Sequence, residues 1–229
     1  MEHSKENSET EGIVLIDKPS GITSFDVIRK LRKESGAKPK TDAWRMGHAG
    51  TLDPLATGLL IVASGKETKK LKEYIKLPKT YEAEILLGTE TDTGDIDGTV
   101  VAKRDVPHFS EKTIADAVNA MIGARTVPVP VYSAVKVGGK KLYEYARAGE
   151  ESSIEIPRKT MEVTGITLNK ISRDNGVIVL TVTMDVSSGT YVRTIAGEIG
   201  KELGVPATVT KLRRTRIGPF DVKSARKIQ

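Results

Sequence analysis

The chain has 229 residues, of which 38% are hydrophobic and 29% are charged, and it contains no cysteine. This length is enough to bury a core in one large domain or two small ones. The lack of cysteine excludes disulfides, thiolate catalysis and cysteine-ligated zinc or iron–sulfur centres. No apolar run approaches the roughly 20 residues of a membrane-spanning helix, and residues 1–11 lack the apolar segment of a signal peptide. We therefore expect a soluble, cytoplasmic protein that holds no metal.

Charge is unevenly distributed along the chain. The net charge is +6, but residues 1–11 hold four glutamates against one lysine, so this segment carries −3 and residues 12–229 carry +9. Residues 201–229 alone hold eight basic and two acidic side chains. We expect an acidic, flexible tail over 1–11 and a basic body whose partner is a polyanion, most simply a nucleic acid. The ordinary alternative is a set of solvated basic faces.

Apolar periodicity and turn signals predict interspersed strands and helices. We predict strands over 12–17, 58–63 and 79–88, helices over 66–75, 110–121 and 190–204, a helix capped by Thr23 or Ser24, and a hairpin around Asn175 and Gly176. An acidic turn at 91–98 lacks the carboxylate spacing of a calcium loop, so we interpret it as structural. Together the elements predict an α+β fold with a central mixed or mostly antiparallel sheet flanked by helices.

One stretch, RMGHAGTLDPLATGLLIVASG (45–65), places Asp53 among glycines and small apolar residues. An aspartate before a proline commonly caps the start of a helix or tight turn, which gives Asp53 a purely structural interpretation. The chemical alternative is a carboxylate nucleophile at a sugar–base bond, a reaction that needs few other groups. The chain carries no Gly-x-Ser-x-Gly elbow and no Walker-type loop. At this point both interpretations of Asp53 stay open.

Six stretches, one of them inside the segment 45–65, occur in a fixed order along the chain. They are DKPSGITSFDVI (17–28), GHAGTLDPLATGLL (47–60), KTYEAEI (79–85), YSAVKVGGKKLYEYARAG (132–149), SSGTYVRTIA (187–196) and LRRTRIGPF (212–220). With them the chain resembles TruB-type tRNA pseudouridine synthases across nearly all of residues 12–220. The resemblance implies the pseudouridine synthase fold with an inserted RNA-gripping segment at about 124–152. It also implies a cofactor-free isomerase that flips out the uridine numbered 55 in the tRNA T-loop and converts it to pseudouridine.

The resemblance assigns catalytic roles to three residues. Asp53 matches the nucleophile, which attacks either the ribose C1′ or the uracil C6. Arg193 matches the arginine that pairs with this aspartate, although on its own it could be a solvated helix residue. Tyr81 matches a ring that lies against the flipped uracil, whereas its alternation with Ala83 and Ile85 alone predicts a core position.

The resemblance also implies RNA-binding or pocket residues, each with a structural alternative. His48 would stack inside the T-loop in place of displaced bases, and Lys18 belongs to a first motif that buttresses the active site. The remaining candidates are Tyr191 and Leu212, which could equally be core, Lys136 and Lys140 in the inserted segment, and Arg213 and Arg214 in the last motif.

These inferences predict one catalytic domain over 12–229 without the C-terminal PUA domain that many relatives carry. The expected partner is the T-arm of tRNA, bound by a monomer without an obligate protein partner. Two other classes of function stay open. One is an RNA-binding module that works without turnover, and the other is a guide-RNA-dependent synthase of the dyskerin-like branch.

Overall fold

A computed structural model describes residues 12–36, 38–42 and 44–228. The predicted acidic tail lies outside these residues. Fourteen strands are described: β1 (Gly12–Lys18), β2 (Met46–His48), β3 (Thr57–Ser64), β4 (Lys79–Leu87), β5 (Thr89–Thr91), β6 (Val100–Lys103), β7 (Gly123–Pro128), β8 (Lys136–Val137), β9 (Lys140–Lys141), β10 (Arg158–Asp174), β11 (Val177–Val186), β12 (Ala207–Ile217), β13 (Phe220–Asp221) and β14 (Arg226–Lys227). The described α-helices are α1 (Ser24–Glu34), α2 (Leu71–Lys76), α3 (Glu111–Asn119), α4 (Leu142–Ala148) and α5 (Val192–Glu202), and 3₁₀ turns occupy Gly65–Lys70, Glu151–Ser153 and Val222–Ser224.

The described residues form two compact units. The first unit comprises the described parts of 1–80 and 213–229, and the second comprises Tyr81–Leu212. The centre of the first unit is β3, which pairs antiparallel with β1 and β2 and parallel with β12 at Arg213 and Arg214. Seven of the eight β3 residues are buried. This burial explains why an unbroken apolar run, predicted over 58–63, forms a central strand.

Helix α1 begins at the cap that the sequence predicts. The Thr23 hydroxyl accepts a hydrogen bond from the Asp26 backbone N–H at 3.1 Å, and the Asp26 carboxylate accepts one from the Thr23 N–H at 2.8 Å. This reciprocal pair satisfies two N–H groups that a helix start leaves without partners. Val27, Ile28 and Leu31 lie on one face of this helix, which is buried against β1 and β3.

The second unit is built around the long hairpin of β10 and β11. Their antiparallel pairing is closed by Asn175 and Gly176, which have φ values of 46° and 80° and so match the primed turn that an Asn-Gly pair predicts. In the sheet, β4 lies next to β11, and residues 207–212 of β12 lie next to β4. On the other side of the hairpin, β10 pairs antiparallel with β7. The predicted helices near 110–121 and 190–204 are confirmed as α3 and α5.

One local expectation differs from the structure. The helix predicted over 66–75 is a 3₁₀ turn over Gly65–Lys70 followed by the short helix α2, and the Ser64 side chain at its start makes no capping hydrogen bond. The short strand β2, which pairs antiparallel with β3, is not among the strands that the sequence predicts. Of the two structural alternatives for Asp53 and Pro54, the structure contains the tight turn and not a helix start: the Asp53 carbonyl accepts a hydrogen bond from Ala56 N at 3.1 Å.

Candidate active site

Asp53 lies half-buried on the loop that joins β2 to β3. Its neighbours in the chain are tied to the start of α1. The Leu52 N–H donates to the Ser24 hydroxyl oxygen at 2.9 Å, and that hydroxyl donates to the Leu52 carbonyl at 3.1 Å. The Pro54 carbonyl accepts from the Gly21 N–H at 2.9 Å. Because both neighbours are held, the loop presents the Asp53 carboxylate from a fixed backbone.

Lys18 is buried beside this loop, with 0% of its surface exposed. Its ammonium donates to the backbone carbonyls of Pro19, Ile22 and Pro54 at 2.8, 2.7 and 3.3 Å. Three carbonyls match the three donors of an ammonium group. Lys18 therefore joins the end of β1 to the loop that carries Asp53, which agrees with the buttressing role that the first motif implies.

Burial lowers the pKa of Lys18 to about 8, since removal from water disfavours the charged ammonium. The carboxylate of Asp53 acts in the opposite direction and the guanidinium of Arg214 in the same direction as burial. Lys18 is still mainly protonated at neutral pH. Its charge favours the ionised form of Asp53, which is the form that can act as a nucleophile.

Arg214 is also buried, with 1% of its surface exposed. Its Nε donates to the Leu59 carbonyl at 2.8 Å and its Nη2 to the Gly50 carbonyl at 3.1 Å. The backbone of β12 approaches so closely that a Cβ on Gly58 would lie 2.2 Å from the Arg214 carbonyl oxygen. Arg214 and Lys18 thus make backbone contacts inside the unit, and direct RNA binding by either stays a prediction.

Two further candidates lie in the first unit. Arg213 donates to both Asp17 carboxylate oxygens, at 3.0 and 2.8 Å, and remains about a third exposed. His48 lies on β2, and its Nδ1 is buried with no hydrogen-bond partner. Burial, together with the nearby charge of Arg214, lowers the His48 pKa from its ordinary value. The imidazole is therefore neutral at pH 7, which suits a ring that stacks on bases.

Arg193 is the central cation of the second unit. It lies in the first turn of α5 with 7% of its surface exposed. Its Nη1 donates to the Thr93 carbonyl and lies 3.6 Å from Asp95 Oδ2, and its Nη2 donates to the Tyr132 carbonyl at 3.1 Å. A solvated helix arginine would make none of these contacts, so the structure excludes that alternative. The predicted pairing of Arg193 with Asp53 stays a prediction.

Asp95 is a buried site residue that the sequence analysis missed. It belongs to the acidic turn 91–98 and is 5% exposed. Its Oδ1 accepts hydrogen bonds from the Thr93 hydroxyl at 2.7 Å and from the Asp97 N–H at 3.3 Å. A lone acidic turn gives no signal of a buried ion pair, because its arginine partner lies 98 positions later in the chain.

Three other candidates of the second unit are buried or partly buried. Tyr81 is 8% exposed and Leu212 is 9% exposed, as expected for apolar positions on β4 and β12. Tyr191 packs against a core cluster that contains Leu142 and Met161. The core interpretation is therefore correct for Tyr81 and Leu212, whereas Tyr191 is only partly buried. Burial does not exclude contact with a base for any of the three.

Lys136 and Lys140 lie in the expected insertion. Lys136 is exposed on β8. Lys140 on β9 pairs with Glu150 at 2.7 Å and lies 4.4 Å above the ring of Tyr145. The segment is not wholly separate from the sheet, because β7 (Gly123–Pro128) pairs with β10. Its RNA-gripping role stays a prediction.

The candidates divide between the two units. The first unit holds Lys18, His48, Asp53, Arg213 and Arg214, and the second holds Tyr81, Lys136, Lys140, Tyr191, Arg193 and Leu212. Across residues 12–36, 38–42 and 44–228, no group of three His, Asp or Glu side chains is placed to hold a metal ion. Nor does any helix in these ranges have the length and apolarity needed to cross a membrane.

Comparison with known families shows which family the chain belongs to. Residues 38–192 match the family model described as "TruB family pseudouridylate synthase (N terminal domain)", and residues 193–229 match "tRNA pseudouridylate synthase B C-terminal domain". The chain belongs to the TruB family of pseudouridylate synthases. The resemblance that six sequence stretches indicated is thereby confirmed.

Proteins called tRNA pseudouridine synthase B are similar along nearly the whole chain. The one from Psychrobacter cryohalolentis is 42% identical over 214 residues, which are 93% of this chain and 58% of that protein. The one from Syntrophotalea carbinolica is 42% identical over 93% of this chain and 66% of its own length. The one from Endomicrobium trichonymphae is 40% identical over 97% of this chain and 91% of its own length. The chain thus spans about three fifths to two thirds of the first two relatives.

Solved structures are similar as well. One is described as "Crystal Structure of a Cbf5-Nop10-Gar1 Complex", with a TM-score of 0.68, 25% identity, and coverage of 96% of this chain and 53% of that one. Another is described as "Structure of H/ACA RNP bound to a substrate RNA containing 2'-deoxyuridine", with a TM-score of 0.67, 25% identity, and coverage of 95% and 51%. These similarities confirm the predicted α+β pseudouridine synthase fold.

Proposed function

We propose that this protein isomerises uridine to pseudouridine in tRNA, with Asp53 as the nucleophile. The observation that carries the proposal is the setting of Asp53 in a TruB-family chain: a carboxylate on a loop held at both neighbours, beside the buried ammonium of Lys18. A nearby cation favours the ionised carboxylate. Such a carboxylate can attack an electron-poor carbon without help from a metal or an organic cofactor.

The reaction balances without a co-reactant. Asp53 attacks either the ribose C1′ or the uracil C6, the bond between C1′ and N1 breaks, and the base turns and rejoins C1′ through C5. The bond to Asp53 then breaks, which frees the carboxylate again: C5 displaces it if it was on C1′, and it is eliminated if it was on C6. The C5 proton is lost and N1 gains one, so the product is an isomer of the substrate. Tyr81 is proposed to lie against the uracil, and Arg193 to keep Asp53 ionised. Buried positions suit both roles, because a site that excludes water strengthens electrostatic interactions.

The proposed substrate is the uridine numbered 55 in the T-loop of tRNA. Two facts support an RNA substrate: the charge of +9 over residues 12–229, and the word tRNA in the names of the relatives. In this proposal His48 stacks inside the loop, and a second group of residues contacts the substrate. That group comprises Tyr191, Leu212, Lys136, Lys140, Arg213 and Arg214. The protein acts as a cytoplasmic monomer without an obligate protein partner.

The test is incubation of the purified protein with an unmodified tRNA transcript and no added cofactor, followed by mapping of pseudouridine at single-nucleotide resolution. Wild type is expected to modify the T-loop uridine, and Asp53→Asn is expected to leave it unmodified while still binding the transcript. Asp174→Asn, at the exposed end of β10, is a matched control that removes one carboxylate elsewhere. Equal product from wild type and Asp53→Asn would refute the proposed nucleophile.

A second candidate is a synthase that depends on a guide RNA and protein partners. The observation that favours it is the similarity to structures described as a Cbf5-Nop10-Gar1 complex and an H/ACA RNP. The same experiment separates the candidates, because a guide-dependent enzyme gives no product with protein and transcript alone. RNA binding without product under every condition would instead favour a module that works without turnover.

A further inference from the structure

The face of α1 that points away from the core carries a basic and aromatic groove. Its lining residues are Phe25, Arg29, Arg32, Lys33, Gly36 and Trp44, around a volume of about 550 Å³. Phe25, Arg29 and Arg32 follow one another at intervals of four and three residues and so share one side of the helix, and Gly36 follows its C-terminal end. The buried residues Val27, Ile28 and Leu31 occupy the other side.

Both aromatic rings of the groove lie against an arginine. The Arg29 guanidinium is 5.8 Å from the centre of the Phe25 ring, and the Arg32 guanidinium is 4.8 Å from the centre of the Trp44 ring. Arg32 also donates from Nε to the Trp44 carbonyl at 3.0 Å, which fixes the loop to the helix. Phe25 nevertheless remains 54% exposed. A large exposed ring beside a cation is typical of surfaces on which bases stack.

The charge of the groove selects the class of ligand. Of the described residues that line it, every charged one is basic. Nearby carboxylates are engaged in ion pairs, Asp26 with Arg29 and Glu34 with Arg226. Arg29 pairs with Asp26 but stays exposed, and its guanidinium has five N–H donors, so it can hold a phosphate as well as Asp26. An uncharged ligand would leave the charges of Arg32 and Lys33 unused, whereas a nucleotide offers a flat base to the rings and a phosphate to Lys33 and Arg29.

We propose that this groove binds an unpaired nucleotide of single-stranded RNA, by stacking of the base on Phe25 and Trp44 and by pairing of its phosphate with Arg29 and Lys33. The site involves none of the residues assigned to isomerisation. It therefore stands or falls independently of the proposed reaction at Asp53.

Trp44 is the only tryptophan in the chain, so its fluorescence reports on this groove alone. In the experiment the 229-residue chain is titrated with fluorescein-labelled hexaadenylate, while the quenching of Trp44 fluorescence and the anisotropy of the label are measured. A blunt RNA duplex and inorganic polyphosphate serve as probes without an unpaired base. We expect saturable quenching by oligoadenylate at the concentrations that raise anisotropy, and little quenching by the other two probes.

Variants then test the stacking itself. Phe25→Ala is expected to raise the Kd for oligoadenylate, measured by quenching of Trp44, about tenfold. This agrees with the energy of stacking one base on a ring. Phe25→Leu keeps apolar bulk but lacks the flat face, so it is expected to weaken binding nearly as much, whereas Phe25→Tyr restores it. Ile75→Ala removes another large exposed side chain, on α2, and is expected to bind like wild type.

Three results would overturn the proposal. One is an anisotropy increase without quenching of Trp44, which would place the oligonucleotide elsewhere. Another is quenching by polyphosphate as strong as by oligoadenylate, which would indicate an anion site without base recognition. The third is wild-type affinity of Phe25→Ala. Asp53→Asn is expected to quench like wild type, so loss of isomerisation and loss of this site are distinguishable.

Discussion

Arg193 and Asp95 form a buried ion pair in the second unit, with 3.6 Å between Nη1 and Oδ2 and about 6% and 8% of the two side chains exposed. The pair fixes the acidic turn 91–98 to the start of α5. The turn also lies close to the base of the Arg193 side chain, since a Cβ on Gly94 would be 3.3 Å from the Cβ of Arg193. The orientation of the guanidinium is thus set by residues far away in the sequence.

Asp95→Asn is expected to destabilise the protein by about 3 kcal/mol, because it leaves the buried Arg193 charge without this counter-ion. Thermal or urea unfolding at neutral pH measures the change. Asp116→Asn is the matched control: its pair with Lys112 is shorter, at 2.7 Å, but exposed to solvent, so its loss is expected to cost less than about 0.5 kcal/mol. Similar losses for the two variants would contradict a structural role for the buried pair.

Gly58→Ala is expected to be one of the most damaging small substitutions in the chain. Gly58 has a φ of 100°, and an added Cβ would lie 2.2 Å from the Arg214 carbonyl oxygen. We expect a loss of at least about 3 kcal/mol in the free energy of unfolding, measured in urea. Gly21→Ala is the control. Gly21 has a φ of 83°, but no atom lies within 4 Å of an added Cβ, so the substitution is expected to cost only the backbone strain of about 1–2 kcal/mol.

Features set by neighbouring residues could be predicted from the sequence. The Thr23 cap, the buried face of α1 and the Asn175-Gly176 turn each depend on a few adjacent positions, and the structure has all three. Asp53 became a candidate through its motif, since its local sequence alone was equally compatible with a turn, and the structure does contain that turn.

Features made by distant residues could not be predicted in this way. No strand was predicted over β12, because Arg213, Arg214 and Arg216 interrupt its apolar pattern. Arg214 is nevertheless buried, since the carbonyls of Leu59 and Gly50, about 160 positions earlier, accept its hydrogen bonds. Asp95 was missed for the same reason. A pattern of residue types does not show which buried charge will find a partner.

Because of Lys18, raising the pH above about 8 is expected to slow isomerisation but to increase the free energy of unfolding. Its pKa is about 8 in the folded protein, against 10.5 for an ordinary lysine. As pH rises through about 8 the ammonium loses its charge beside Asp53, so the rate of isomerisation is expected to fall. Between pH 8 and 10.5 the unfolded chain binds this proton more than the folded chain does, so the contribution of Lys18 to the free energy of unfolding rises with pH, by up to about 3 kcal/mol.

Lys18→Met tests both responses, because it cannot titrate. It is expected to be slower than wild type at pH 7 and to lack the fall in rate near pH 8, and its stability is expected to lack the rise between pH 8 and 10.5. The measurements are single-turnover rates on a tRNA transcript and urea midpoints across that range. If wild type and Lys18→Met share one pH profile in both assays, Lys18 does not act through its charge.

His48 is expected to make the folded protein sensitive to mild acid. Burial lowers its pKa below the ordinary value of 6.5, so as pH falls through 6.5 the unfolded chain takes up a proton that the folded chain resists, and stability falls. His48→Leu removes both the titration and the unpartnered Nδ1. Its free energy of unfolding is expected to decline less than that of wild type between pH 7 and 5, in urea titrations at each pH. His108→Gln, on the exposed surface, is expected to follow wild type; a His48→Leu profile parallel to wild type would show that another group governs the acid response.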